Sequence, residues 1–283
     1  MALDSNETVF CSVPLGHLPF LDLLEPASTA GFSTISMMPT QFAELATKGV
    51  TPQDLRQRLA DLGLRISEFE SVAHWLPGQA AAADRVAKYG THLLDMTVDK
   101  VLPMAASVGA RSVSVVEIFN INFDIDEAAE AFAAICDKAA DFGLNANIEF
   151  LPAGGIKNIA TTAEIIRRAG RANAGITLDT LHFYRGGSTI EELSLLPASM
   201  IGLVQLSDAR LAQTDNIEHE MMTGRVLPGQ GKLDIRAIVD ALDTMGVTAP
   251  VGVEVFSDLT AGEPIEQTAS SWMAALRSMT KRT

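Results

Sequence analysis

Four short apolar segments in the second half of this chain each end in an oxygen-bearing side chain of a kind that binds hard cations. They are Asn147-Ile148-Glu149, Thr177-Leu178-Asp179, Leu203-Val204-Gln205 and Val253-Glu254. Each is separated from the next by enough residues for a helix. A carboxylate at the end of an apolar strand costs several kcal/mol to bury unless something positive sits beside it. The four segments contain no Lys or Arg, so the expected partner is a bound cation. Four oxygen donors without thiolate or imidazole favour Mg²⁺ or Mn²⁺ over Zn²⁺, with Co²⁺ able to substitute.

The elements that must position these residues follow from the hydrophobic pattern. Strand-length apolar runs cover Thr8–Val13, Phe32–Ser36, Arg65–Phe69, Ser112–Ile118, Asn145–Phe150, Gly175–Asp179, Gly202–Leu206 and Val251–Phe256. Between them, helical periodicity spans Thr51–Leu62, Asp84–Val108, Asp126–Phe142, Thr161–Ala169 and Asp234–Met245. Thr51-Pro52 supplies a cap followed by a first-turn proline, and Gly143, Gly170 and Gly246 supply helix stops. Eight strand-then-helix units predict a closed (β/α)8 TIM barrel, an architecture of about 250 residues. An open doubly wound sheet is second, because Ser12–Gly16 lacks the glycine-rich phosphate turn such a sheet carries after its first strand. No linker or low-complexity tract divides the chain, so residues 1–283 are expected to form a single domain.

Composition narrows the class. The chain has 283 residues, 47% of them apolar, and a net charge of −14. That charge repels nucleic acid, and basic residues gather only in short pairs such as Arg167-Arg168 and Lys281-Arg282. No stretch approaches the roughly 18 apolar residues of a membrane span, and the amino terminus lacks a secretory pattern. Cys11 and Cys136 are the only cysteines, too few for a disulfide framework or a thiolate zinc site. The expectation is a cytoplasmic enzyme acting on a small molecule, without nucleic-acid or membrane partners.

The segments NIEF, LDTLHFYRGG, VQLSDA, RVLPGQGKLD and VEVF resemble the sugar-phosphate isomerase/epimerase superfamily of xylose-isomerase-like TIM barrels. The resemblance spans about residues 8 to 258 and is most specific after residue 145. It implies one divalent metal held at the carboxyl-terminal rim of strands five to eight by Glu149, Asp179, Gln205 and Glu254. Most relatives place histidine where this chain has Gln205. An amide oxygen still suits a hard cation, and glutamine here is similar to some dehydroshikimate dehydratases.

The same resemblance implies roles for neighbouring residues. His182, three residues beyond Asp179, would contact substrate oxygens and help move protons, a task that suits histidine because the unperturbed imidazole pKa is close to working pH. Arg225 would bind substrate oxygens, with Ala209–Gly224, including His219, as a lid. Asp208 would orient a ligand or Arg225, or be an exposed loop acid. Glu70 and Trp75 are candidate pocket residues, with His74, Glu117, Asn120 and the Met37-Met38 pair as weaker ones. His17 and His92 read as ordinary histidines. The implied activity is a sugar or polyol-ketone isomerase or epimerase working through an enediolate, with Glu149 and Glu254 exchanging protons. The alternative is a lyase of the 3-dehydroshikimate or inosose dehydratase type. The substrate is then a keto-sugar or a cyclic hydroxy-ketone, and barrels of this type often form homo-oligomers. An abasic-site endonuclease is disfavoured by the five scattered histidines and the acidic charge. A metal-free binding protein is the remaining rival class.

Overall fold

In the computed structural model, which describes residues 7–85, 91–259 and 262–280, eight parallel strands close into a barrel. The staves are β1 (Thr8–Phe10), β2 (Thr34–Met37), β3 (Arg65–Val72), β4 (Ser112–Val116), β5 (Asn145–Glu149), β6 (Ala174–Asp179) and β7 (Ile201–Leu206). A two-stranded antiparallel ribbon follows, β8 (Asp208–Ala209) with β9 (Arg225–Val226). The eighth stave, β10 (Val251–Val253), pairs with both β7 and β1 to close the ring. This is the expected (β/α)8 TIM barrel.

Register explains how one strand can carry both a core and a site. Paired residues in a parallel sheet point to the same face, and alternate residues point to opposite faces. Phe10, Ile35, Phe69, Val113, Val115, Ile148, Ile176, Leu178 and Val204 therefore face outward, and all are buried in the apolar layer shared with the helices. The inward face is mostly polar, with Ser36, Glu68, Glu70, Ser112, Ser114, Asn147, Glu149, Thr177, Asp179 and Gln205. Barrel interiors are more often filled with branched aliphatic side chains.

The helices stand close to expectation except over 84–108. Residues 86–90 of that span lie outside the described residues. The rest forms a 3₁₀ helix through Arg85, a second at Thr91–Asp95, and an α-helix only at Val98–Ser107. The helical reading fails because Thr97 is extended and residue 96 belongs to no helix. Ala73 and His74 both donate their N–H to the Met96 carbonyl, and Thr97 bridges to His74. Pairing with the end of β3 outweighs the helix preference of the local sequence. The His92 side chain and the Lys281-Arg282 pair are also outside the described residues. Among the described residues, no helix is long and apolar enough to cross a membrane.

Candidate metal centre and active site

Glu149 is the last residue of β5, Asp179 the last of β6, Gln205 the penultimate residue of β7, and Glu254 follows β10. All four are buried. The barrel puts them on one arc of its carboxyl-terminal rim. The amide Nε2 of Gln205 donates to Glu254 Oε1 at 3.2 Å. Its other atom, Oε1, is buried and has no hydrogen-bond partner.

Asp179 does two jobs. It caps the short helix Thr180–Arg185, with Oδ1 accepting the His182 N–H at 2.8 Å. That turn swings the His182 ring back over the rim, placing Nδ1 3.3 Å from Glu149 Oε1 and 3.9 Å from Asp179 Oδ1. Ligand atoms of Glu149, Asp179 and His182 all lie within 4.8 Å of one another, a grouping suited to a metal ion. His182, for which the family resemblance implies substrate contact, thus also stands within the ligand cluster.

The positive partner that the strand sequences lack arrives from elsewhere. Arg225 opens β9, and its buried guanidinium reaches across the rim. Nη1 donates to Asp179 Oδ2 at 2.6 Å and to Glu254 Oε2 at 3.0 Å, while Nη2 lies 3.0 Å from His182 Nε2. Nε donates to the Met221 carbonyl, and the guanidinium carbon stands 5.0 Å above the Phe256 ring. The expectation of acids with no nearby Arg is corrected to this extent: one guanidinium serves two of them. Three rim carboxylates against one guanidinium leave a formal charge of −2. A divalent cation matches that remainder, and the unpartnered Gln205 Oε1 offers it an oxygen. Glu149, Asp179 and His182 therefore fit a metal ion, so the expected all-oxygen set is corrected to one that includes an imidazole, while Glu254 stands outside that grouping, bonded to Gln205 and Arg225.

The acids respond differently to this setting. Burial pushes the Glu254 carboxyl well above the usual carboxylate range; Arg225 opposes that, and Glu149 and Asp179 add to it. Asp179, equally buried, is held below its ordinary value by Arg225, His182 and the bond to the His182 N–H. Glu70, inward on β3, is pushed well up by burial and by the charges of Glu254, Glu68 and Glu149. Its Oε1 is buried and unpartnered.

The other candidates are drawn into scaffolding bonds. Trp75 donates Nε1 to the Val116 carbonyl at 2.8 Å and packs edge-on against Phe132. Glu117 accepts from the backbone N–H groups of Phe119 and Gly155, joining the loops after β4 and β5. His74 contacts the Leu94 carbonyl, Asn120 adopts a left-handed backbone, and Met37 is core. In the expected lid, His219 is exposed on the helix Ile217–Thr223. That segment is fastened by Arg185, which pairs with Glu220 at 2.6 Å and donates to the Leu211 and Ala212 carbonyls.

Asp208 is neither an exposed acid nor a direct partner of the rim. Its Oδ2 accepts from Gly229 and Gly231, and its Oδ1 from Leu233 and Ala209, at 2.8–3.1 Å. A side chain at Gly231 would collide with this carboxylate. Asp208→Ala is expected to lower stability by about 3 kcal/mol, since several charge-assisted bonds vanish together. Faster proteolytic cleavage between residues 227 and 233 should accompany it. An unchanged melting temperature and cleavage pattern would show that the loop holds itself.

Comparison with known proteins agrees with this architecture. The family model described as xylose isomerase-like TIM barrel matches residues 24–279. The chain belongs to this family. A 3-dehydroshikimate dehydratase of Pseudomonas aeruginosa is 27% identical over 273 residues, 95% of this chain but 40% of that protein. An inosose isomerase of Bacillus velezensis is 31% identical over 147 residues, 49% of this chain and 51% of that one. The chain therefore spans only about half, or less, of the length of these two relatives. An L-ribulose 3-epimerase of Mesorhizobium japonicum is 24% identical, covering 86% of this chain and 77% of the epimerase. Among solved structures, IolI protein with a bound zinc atom superimposes at a TM-score of 0.83 with 19% identity, covering 97% of this chain and 98% of that one.

Proposed function

We propose that this member of the xylose isomerase-like TIM barrels is a divalent-metal-dependent enzyme that removes a proton beside the carbonyl of a polyhydroxylated ketone and returns it as an isomerase or epimerase. Mn²⁺ or Mg²⁺ is the metal that Glu149, Asp179, His182 and Gln205 would hold, with Co²⁺ able to replace it. The observation carrying this reading is the arc of three acids and one amide whose −2 remainder Arg225 leaves uncompensated. Bound there, the cation would polarise the substrate carbonyl and stabilise the enediolate.

The side chains supply the rest. Glu149 and Glu254 end the arc on β5 and β10, so a substrate between them presents its carbon to a carboxylate on either side. One takes the proton from carbon, and the other, protonated, gives one back. Arg225 can donate to a substrate oxygen. Glu70 offers its free Oε1 from below. The Ile217–Thr223 lid, fixed by Arg185, would exclude water.

A second reading, dehydration, is favoured by Gln205 and by dehydratase similarity running along 95% of the chain. The first step is the same; a β-hydroxyl then leaves with a proton from a site acid. The test is to strip the protein with chelator and restore Mn²⁺, Mg²⁺ or Co²⁺. It is then offered ketoses, inososes and dehydroshikimate in deuterium oxide. Metal-restored deuterium incorporation beside the carbonyl is expected, with a conjugated ultraviolet absorber only from dehydration. Absence of exchange with every ketone and metal would overturn the enzymatic reading.

A further inference from the structure

Below the rim, the barrel interior holds an acid that the chemistry above does not touch. Glu68, two residues before Glu70 on the same inward face of β3, is fully buried. Its carboxyl accepts from Asn147 Nδ2 at 2.9 Å, Ser112 Oγ at 3.2 Å and Thr177 Oγ1 at 3.1 and 3.2 Å. All three donors are neutral, and among the described residues no cation is paired with it. Burial, aided by the charge of Glu149, pushes its pKa up to about 7 against the pull of those bonds. The titratable groups around it are Glu149, Glu70 on its own strand, and Cys11 on the segment after β1.

Two of its partners lead outward. Ser112 and Asn147 line a cavity of about 110 Å³ at the amino-terminal end of the barrel, opposite the rim. Exposed Arg111, Asn145 and Ser199 surround the opening. That volume is ample for several waters, each needing roughly 10–15 Å³ of such space. Gly175 and Gly202 line it too, and a side chain at either would strike the Asn147 amide. The Ser112–Glu68 contact is repeated one layer higher, where Ser114 Oγ lies 3.5 Å from Glu149 Oε2.

We propose that Glu68 is a proton-exchanging positioning residue, connected to solvent through the lower cavity by the Ser112 hydroxyl, that sets the charge beneath Glu70 and Glu149. In each exchange Ser112 gives its hydroxyl proton to the Glu68 carboxylate and takes one from a hydronium ion in the cavity, which is left as water, so that Ser112 remains neutral. The reverse transfer returns the proton to cavity water and leaves Glu68 ionised. Neutral Glu68 eases ionisation of Glu70 above it, and ionised Glu68 opposes it. The consequence for turnover rests on the function proposed above, whereas the exchange itself does not.

Difference infrared spectroscopy on the unliganded full chain separates the two. A protonated-carboxyl band should disappear as pH is raised through about 7, and Glu68→Gln should remove it while the bands of Glu70 and Glu254 remain. In Ser112→Ala the band should persist but exchange with deuterium about tenfold more slowly, the scale of one lost hydrogen-bonding group. With an active substrate, Glu68→Gln should flatten the near-neutral limb of the kcat/KM profile, and Glu68→Asp should restore it. A neutral-range band that survives Glu68→Gln, or exchange unaltered in Ser112→Ala, overturns the proposal. Should Glu68→Gln fail to fold, the Ser112→Ala exchange rate alone decides. If no ketone turns over, the function fails while the infrared result still judges Glu68.

Discussion

Glu149→Gln is expected to leave the barrel folded and to lower kcat by about 10²–10⁴-fold, the range contributed by a positioned acid or base. The substitution keeps the shape and removes the charge and the proton-accepting oxygen pair. Apart from the metal that Glu149 would help to hold, little else depends on them. Glu149 Oε1 faces His182 Nδ1 at 3.3 Å, and among the described residues Oε2 has only the long contact to Ser114. Removing one buried negative charge also relieves Glu68, Glu70 and Glu254, each of which its field pushes upward. The melting temperature should therefore hold or rise, most visibly at neutral and higher pH. The sign follows from linkage: an acid whose folded pKa is raised binds more protons folded than unfolded, so it costs stability as pH climbs. For Glu68 the window runs from its ordinary value of 4.5 to about 7. Steady-state kinetics and melting curves at pH values spanning that window check both halves. A near-normal kcat would remove Glu149 from proton transfer, and a lost fold would make its role structural.

The barrel and its acid arc were legible because they rest on local patterns. Strand-length apolar runs alternating with glycine-stopped helices specify the staves, and residue type at a strand's end specifies Glu149 and Asp179. What escaped depends on contacts between distant segments. Arg225 lies 46 residues after Asp179, beyond a helix and on a two-residue ribbon, so nothing local tells where its guanidinium reaches. The break at Met96-Thr97 likewise comes from pairing with β3. Asp208 looks like any loop acid until four backbone N–H groups fold around it. Glu68 did leave a trace: Glu68-Phe69-Glu70, Ser112-Val113-Ser114 and Asn145-Ala146-Asn147 alternate polar with apolar residues. That period of two marks a polar barrel interior behind an apolar outer face, a pattern hidden when the runs are scored only as hydrophobic.

Arg225→Ala separates the two cations invoked for this site. Its guanidinium is the charged partner of both Asp179 and Glu254, and all three groups are buried. Removing one member of a buried ion pair commonly costs about 3–5 kcal/mol, because the remaining charge is left uncompensated. In a chain of this size that is a fall of roughly 10 °C in melting temperature. The loss should be greatest at neutral and alkaline pH. Asp179, held low by Arg225, contributes stability that is present above its unfolded value and lost as pH falls through its folded one. The variant forfeits that contribution where the wild type has it in full. In acid, where Asp179 and Glu254 take up protons, the two proteins should converge. Added Mn²⁺ should then recover more stability in Arg225→Ala than in wild type, because the same two carboxylates no longer share their charge with a guanidinium. Substrate binding should weaken more than metal binding, which calorimetric titration of each would measure. If Mn²⁺ raises neither protein's melting temperature, Arg225 is itself the resident cation of the rim, and the acids there serve an ion pair rather than a metal.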